Sequence, residues 1–183
     1  MFIRIKKIKG IPYAYLVKNK WKKGKTIQKT VKYLGKVIEV NPNDSPNDDH
    51  SKLDEFSLDS QQDLFLYLIE GQLKTIGFEK EKTNFYINPD LNIRFNVRTL
   101  TFSQNGKNCV LRVNEGFLCN FNLKKLKQAI KDCLICREED FYDYGRDLAK
   151  ALVDLGFILT KDQFQEIILF LIRNRNERTK QYP

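Results

Sequence analysis

The first 36 residues contain no aspartate or glutamate, although the chain of 183 residues carries 23 of them. Those 36 residues hold twelve lysines and arginines, and the remainder holds twenty basic against twenty-three acidic residues. The net charge of +9 therefore belongs to the N-terminal stretch alone. An even bias would say only that the chain is soluble; a segregated one points to a partner of negative charge. Histidine is nearly missing: His50 is the only one, and it lies in a polar stretch. A Ser-His or Cys-His hydrolase would have no base. No Gly-x-Gly-x-x-Gly and no P-loop sequence occurs, which removes two common phosphate-binding loops. Long hydrophobic runs are missing too. The longest, Leu64–Ile69 and Ile167–Ile172, are six residues each, against roughly 18 for a membrane span. Met1-Phe2-Ile3-Arg4 leads straight into charge, without the apolar core of a secretory signal. Four cysteines without such a signal read as reduced thiols of a cytoplasmic protein. No membrane partner and no cofactor are expected.

What is present divides into three. Residues 1–40 read as a basic β-module, 41–57 as an acidic flexible linker, and 58–183 as an α+β domain. The expected fold class is α+β: a small antiparallel β-module, then a small antiparallel sheet with about four helices. The larger part is long enough to bury a core; a unit of about 40 residues is marginal alone and has to dock on something.

In the module, Ile3 and Ile5 alternate with Arg4 and Lys6 over a strand at 2–8. Lys9-Gly10-Ile11-Pro12 breaks it. Strands at Tyr13–Trp21 and Lys25–Leu34 then fold back around Lys23-Gly24. With Lys23-Gly24 as a two-residue loop, the register sets Trp21 opposite Thr26, Lys18 opposite Lys29, Leu16 opposite Val31 and Ala14 opposite Tyr33. Lys18 facing Lys29 is unfavourable unless an anion sits there. The stretch Asn41–Ser57 has two prolines and clustered Asn, Asp and Ser, the composition of a solvated spacer.

Further on, a helix is expected over Asp59–Ile76, capped by Ser57 or Asp59 and stopped by Gly77. Asn84–Asn88 reads as a short strand. Leu91, Ile93, Phe95 and Val97 alternate with outward Arg94 and Arg98. The parity flips at Leu100 and Phe102, placing a bulge or turn near Arg98-Thr99. Asn105-Gly106 predicts a type I′ hairpin that pairs Phe102 with Cys109 and Leu100 with Leu111. Phe117–Cys119 is a further short strand. Three helices follow: one capped by Asn122, one over Glu138–Leu155 stopped by Gly156, and one opened by a Thr160-to-Gln163 capping box. The last is apolar almost all round over Phe164–Ile172, so it is central in the core or half of a homodimer interface. Its basic tail, Arg173–Lys180, is expected to fray.

The strongest constellation is the N-terminal hairpin. Lysines attract phosphates, and aromatic rings stack on unpaired bases. The candidate nucleic-acid-binding residues are Arg4, Lys6, Lys18, Lys20, Trp21, Lys22, Lys23, Lys25, Lys29 and Lys32, with the lysines clustered around Trp21 near the tip. Tyr13, Tyr15 and Tyr33 read as aromatics of the small sheet. The pattern Tyr-Ala-Tyr-Leu-Val, a Gly-Lys turn and a basic strand ending Tyr-Leu-Gly resembles the N-terminal β-module of insertion-sequence transposases and of archaeal proteins. Tyr13, Tyr15, Leu16, Val17, Gly24, Lys25, Tyr33, Leu34 and Gly35 stand in the matching places. The resemblance covers about 25 residues and implies a nucleic-acid-binding module. It does not extend to transposase activity, which needs a large catalytic domain with three metal-binding carboxylates; residues 58–183 are too few.

Other groups are weaker candidates. Cys133 and Cys136 form a CxxC, but a structural zinc site wants a second ligand pair, and Cys109 and Cys119 are not spaced as one. All four read as small buried thiols, with no metal assigned. Asp143 and Asp147 lie one helical turn apart, and a metal-dependent nuclease would use such acids; Tyr142 and Arg146 beside them mark a plain surface. No catalytic residue is assigned. The expected function is a non-catalytic protein that binds DNA or RNA through the hairpin, with a homodimer through Phe164–Ile172. The alternative is a protein-interaction or ribosome-associated factor.

Overall fold

The computed structural model describes residues 1–22, 24–42, 61–137 and 139–181, with side chains described over 1–22, 24–42, 64–137 and 139–174. Residues 43–57 of the expected linker and the expected cap Asp59 lie outside these residues, as do Lys23 and Glu138. The fold is α+β.

Three strands open the chain: β1 (Phe2–Ile8), β2 (Ile11–Lys22) and β3 (Lys25–Glu39). The turn between β1 and β2 is narrower than the expected break. Only Lys9 and Gly10 form it, both at positive φ (50° and 80°), the twist that suits a two-residue hairpin. Ile11 and Pro12 belong to β2, opposite Ile8 and Lys7. Proline is tolerated there because β3 pairs with β2 only from Tyr13 onward.

After α1 (Gln61–Thr75) come β4 (Glu79–Lys82), β5 (Phe85–Asn88), β6 (Ile93–Asn96), β7 (Thr101–Gln104), β8 (Lys107–Val113) and β9 (Gly116–Leu118). Three helices close the chain: α2 (Asn120–Ile135), α3 (Phe141–Asp154) and α4 (Lys161–Gln181). The flip of parity before Phe102 is a turn, with Leu100 at φ 54°. The Asn105-Gly106 hairpin forms with both residues at positive φ, and Phe102 faces Cys109. Leu100 precedes β7 and does not pair with Leu111, which faces Leu118 of β9 instead.

All nine strands share one sheet in the order β1-β2-β3-β8-β7-β6-β5-β4, with β9 also on β8. The joint is parallel: Lys36–Glu39 of β3 run beside Cys109–Arg112 of β8. The expected boundary at residue 40 thus falls after the N-terminal strands have already joined the larger sheet. Gly35 is not a turn residue. It sits in β3 at φ +137°, and an added Cβ would lie 2.5 Å from the Asn108 carbonyl oxygen. Only glycine lets β3 close on β8 here.

The main core lies on one face of β5–β8. There Tyr86, Phe95, Phe102, Cys109 and Leu111 pack under Leu68 and Leu73 of α1, Leu126 and Ile130 of α2, Leu148 of α3 and Ile167 of α4. Phe95 and Phe102 stack at 4.5 Å. A second cluster joins Ala14, Val37, Val110 and Cys119, with Ile3, Ile5, Phe117 and Phe121 packed against it.

Helix ends follow local chemistry. Gly77 and Gly156, at φ 78° and 87°, end α1 and α3, and Phe78 and Phe157 return hydrogen bonds to the Leu73 and Leu152 carbonyls. That is the Schellman arrangement. The capping box of α4 forms in both directions between Thr160 and Gln163. Asn122 is not a cap. It is buried in α2, and its Nδ2 donates to the carbonyls of Phe117 and Asp154. Helix α4 continues through Gln181, across the tail expected to fray.

Candidate nucleic-acid interface

β1 covers β2 no further than Val17, which faces Phe2. β2 and β3 continue to pair out to Lys22 opposite Lys25. The last five pairs, Lys18–Lys22 with Lys25–Lys29, form a two-stranded arm without a third strand. At about 3.4 Å per residue it projects about 17 Å. Every described arm residue is exposed except Lys18, which is half-buried. Gly24 takes the tip at φ +74°.

Alternation sorts the arm into two faces. Lys18, Lys20, Lys22, Lys25 and Lys29 share one face with Ile27, and Lys32 continues it opposite Leu16. Lys18 faces Lys29, as expected, and Lys22 faces Lys25. Among the described residues no carboxylate pairs with any arm lysine. Like charges opposed in this way destabilise the free arm and favour an anion beside it.

Trp21 does not stand among these lysines, contrary to the expected cluster. It lies on the opposite face with Asn19, Thr26, Gln28 and Thr30. Arg4 and Lys6 lie on that face as well, at the three-stranded base rather than near the tip. Arg4 Nη1 donates to Gln28 Oε1, and Lys6 Nζ lies 5.2 Å from the Tyr15 ring centroid. Of the ten candidate residues, six lysines thus share one face, Arg4, Lys6 and Trp21 share the other, and Lys23 is outside the described residues.

Two bulges reshape the base of the arm. Pairing shifts between Val17 and Leu16, and again between Tyr15 and Ala14. Leu16 meets Lys32 rather than Val31, and Ala14 meets Gly35 rather than Tyr33. The shift brings Tyr33 opposite Tyr15. The Tyr33 ring lies 5.4 Å from that of Tyr15 and 6.2 Å from that of Tyr13. Burial, with the neighbouring phenols adding to it, pushes the Tyr33 hydroxyl above its usual range, so this ring is neutral at pH 7. Tyr33 is 51% exposed and Trp21 is 75% exposed. A cleft of about 220 Å³ adjoins Tyr33 where β3 parts from β8, lined also by Lys32, Asn108, Asn120 and Lys124. Tyr33 and Lys124 are not among the sequence candidates.

Two arginines of the larger sheet are already paired with carboxylates. Arg94 pairs with Glu81 at 2.8 Å, and Arg112 with Glu39 and Glu115. Asp143 is exposed and pairs with Arg146 at 3.1 Å. Among the described residues no group of three or more His, Cys, Asp or Glu is placed to hold a metal ion. Cys109, Cys119 and Cys133 are buried. Burial pushes the Cys109 thiol up to about 11 and the Cys133 thiol up to about 12. These are inert protonated thiols rather than nucleophiles. The Phe164–Ile172 stripe is largely internal: Ile167 and Leu171 are buried, and Phe164, Ile168 and Phe170 pack on the main core. Leu169, 42% exposed, is its outward member. Among the described residues no helix is long and apolar enough to cross a membrane.

Compared with known proteins, the chain matches no family model, no curated sequence and no solved structure.

Proposed function

We propose that this is a non-catalytic, cytoplasmic nucleic-acid-binding protein that grips phosphates through the β2–β3 arm. The observation that carries the reading is the lysine face. Five lysines stand on a projecting ribbon, two cross-strand pairs oppose like charges, and no described carboxylate answers them. A polyanion relieves that repulsion and releases its own counterions on binding. The resemblance of residues 13–35 to transposase β-modules supports the same chemistry. The α+β body serves as the mount for the arm.

The test is an anisotropy titration of labelled DNA and RNA across a salt series. The variant replaces Lys18, Lys20, Lys22, Lys25 and Lys29 with alanine. Every lysine that neutralises a phosphate adds about 0.7–0.9 to the steepness of log K against log salt. Binding should weaken and its slope should flatten by about 3.5 to 4.5 if all five lysines touch phosphates. An unchanged slope and affinity would sink the proposal.

A homodimer through Phe164–Ile172 is a secondary proposal, supported by the outward Leu169. Light scattering at rising concentration tests it, with Leu169→Glu expected to yield monomer only.

A further inference from the structure

The face opposite the lysines differs in kind. Trp21 and Tyr33 are its exposed rings, and Tyr13 and Tyr15 back Tyr33 at its base. Trp21 lies six positions along the strand from Tyr15, a span of about 20 Å. Between them stand Asn19, Gln28, Thr26 and Thr30, uncharged side chains that donate and accept hydrogen bonds. Arg4, Lys6 and Lys36 stand at the inner end of the strip. This is the same side of the sheet that α1 and its neighbours cover at β5–β8; over β2–β3 Val17 is buried on it, while Trp21, Asn19, Thr26, Gln28, Thr30 and Tyr33 stay exposed. At the Tyr33 end it meets the cleft lined by Lys32, Asn108, Asn120 and Lys124.

Each component answers one part of an unpaired nucleotide. Rings offer faces for stacking, amides and hydroxyls meet base edges, and cations meet phosphates. A duplex keeps its base faces covered by their neighbours, so it can use the lysine face but not this one. Resting on the nucleic-acid reading above, we propose that this face is a platform for single-stranded nucleic acid. Bases stack on Trp21 and Tyr33, while Arg4, Lys6 and Lys36 hold the phosphates of the strand at the Tyr33 end.

The test uses the full chain with oligo(dT), oligo(U) and a duplex of equal length. Trp21 is the sole tryptophan, so quenching of its fluorescence reports stacking at that residue. The single strands should quench it. Trp21→Ala and Tyr33→Ala should each weaken single-strand binding by about 5- to 150-fold, the loss of one stacked base. Trp21→Phe should keep most of the affinity, and duplex binding should change less than about threefold. Both rings are exposed, so neither variant opens the core, and circular dichroism checks that. Quenching by oligo(dT) alone or oligo(U) alone assigns the platform to DNA or RNA. Tighter binding of the duplex, an unquenched Trp21, or equal losses for duplex and single strand would overturn the inference. Steep, lysine-dependent salt sensitivity surviving in that case leaves the phosphate-gripping function standing. Absence of binding to every nucleic acid removes both.

Discussion

At Gly35 one carbon atom decides whether β3 reaches β8. A side chain there meets the Asn108 carbonyl at 2.5 Å, in a region of φ that L-residues avoid. Gly35→Ala should cost about 3 kcal/mol from strain and displacement, read as a lower urea midpoint. Burial acts on Cys133 through protonation. Its pKa is about 12 when folded against 9.0 as a free thiol, so the folded state holds a proton that the unfolded chain releases. The resulting stability is complete below pH 9 and is lost as pH rises toward 12. Cys133→Ala should be less stable at pH 7, but its unfolding free energy should fall less steeply between pH 9 and 11. Parallel slopes would show that the thiol is not linked to folding. Residue roles are legible where the cause is local. Lys18 opposite Lys29 follows from the distance to the turn. Tyr33 is not legible, because one bulge between that turn and Tyr33 changes its face, and a bulge in a run such as Thr30-Val31-Lys32 leaves no local signal.

The arm shows stability and binding in opposition. Its lysine pairs repel in the free protein, so Lys29→Glu, which turns one like pair into an opposite one, should stabilise the fold by about 0.5 kcal/mol. The same change should weaken nucleic-acid binding. A thermal melt and a titration on one variant measure both, and a loss of both together would contradict the account. Elements with their own punctuation are readable: the Asn105-Gly106 turn, the glycine stops of α1 and α3, and the capping box of α4. β4 is not. Its residues Glu79-Lys80-Glu81-Lys82 are all exposed and carry no apolar alternation. Charge suits a strand at the sheet margin, where it discourages pairing with another chain. Asn122 looks like a cap in the sequence because asparagine before an apolar stripe is the usual sign of one. In the fold its amide lies buried and serves carbonyls of two other segments.

For the whole molecule, the parallel joint makes the N-terminal strands part of one sheet. Val37 and Val110 are buried side by side within it. Their amide protons should exchange with the same free energy, matching that of global unfolding. Faster exchange at Val37 would mean that β1–β3 open as a unit of their own. The joint is invisible in the sequence, since parallel strands need no turn between them and these are separated by a helix and four strands. That separation bears on how the protein is made. β3 is complete well before the ribosome reaches β8, and the intervening residues take about 4–15 s at ordinary synthesis rates. Throughout that interval a basic, lysine-faced hairpin is tethered to an RNA-rich machine with its docking strand still unwritten. The acid-free stretch is therefore synthesised before the strand that anchors it.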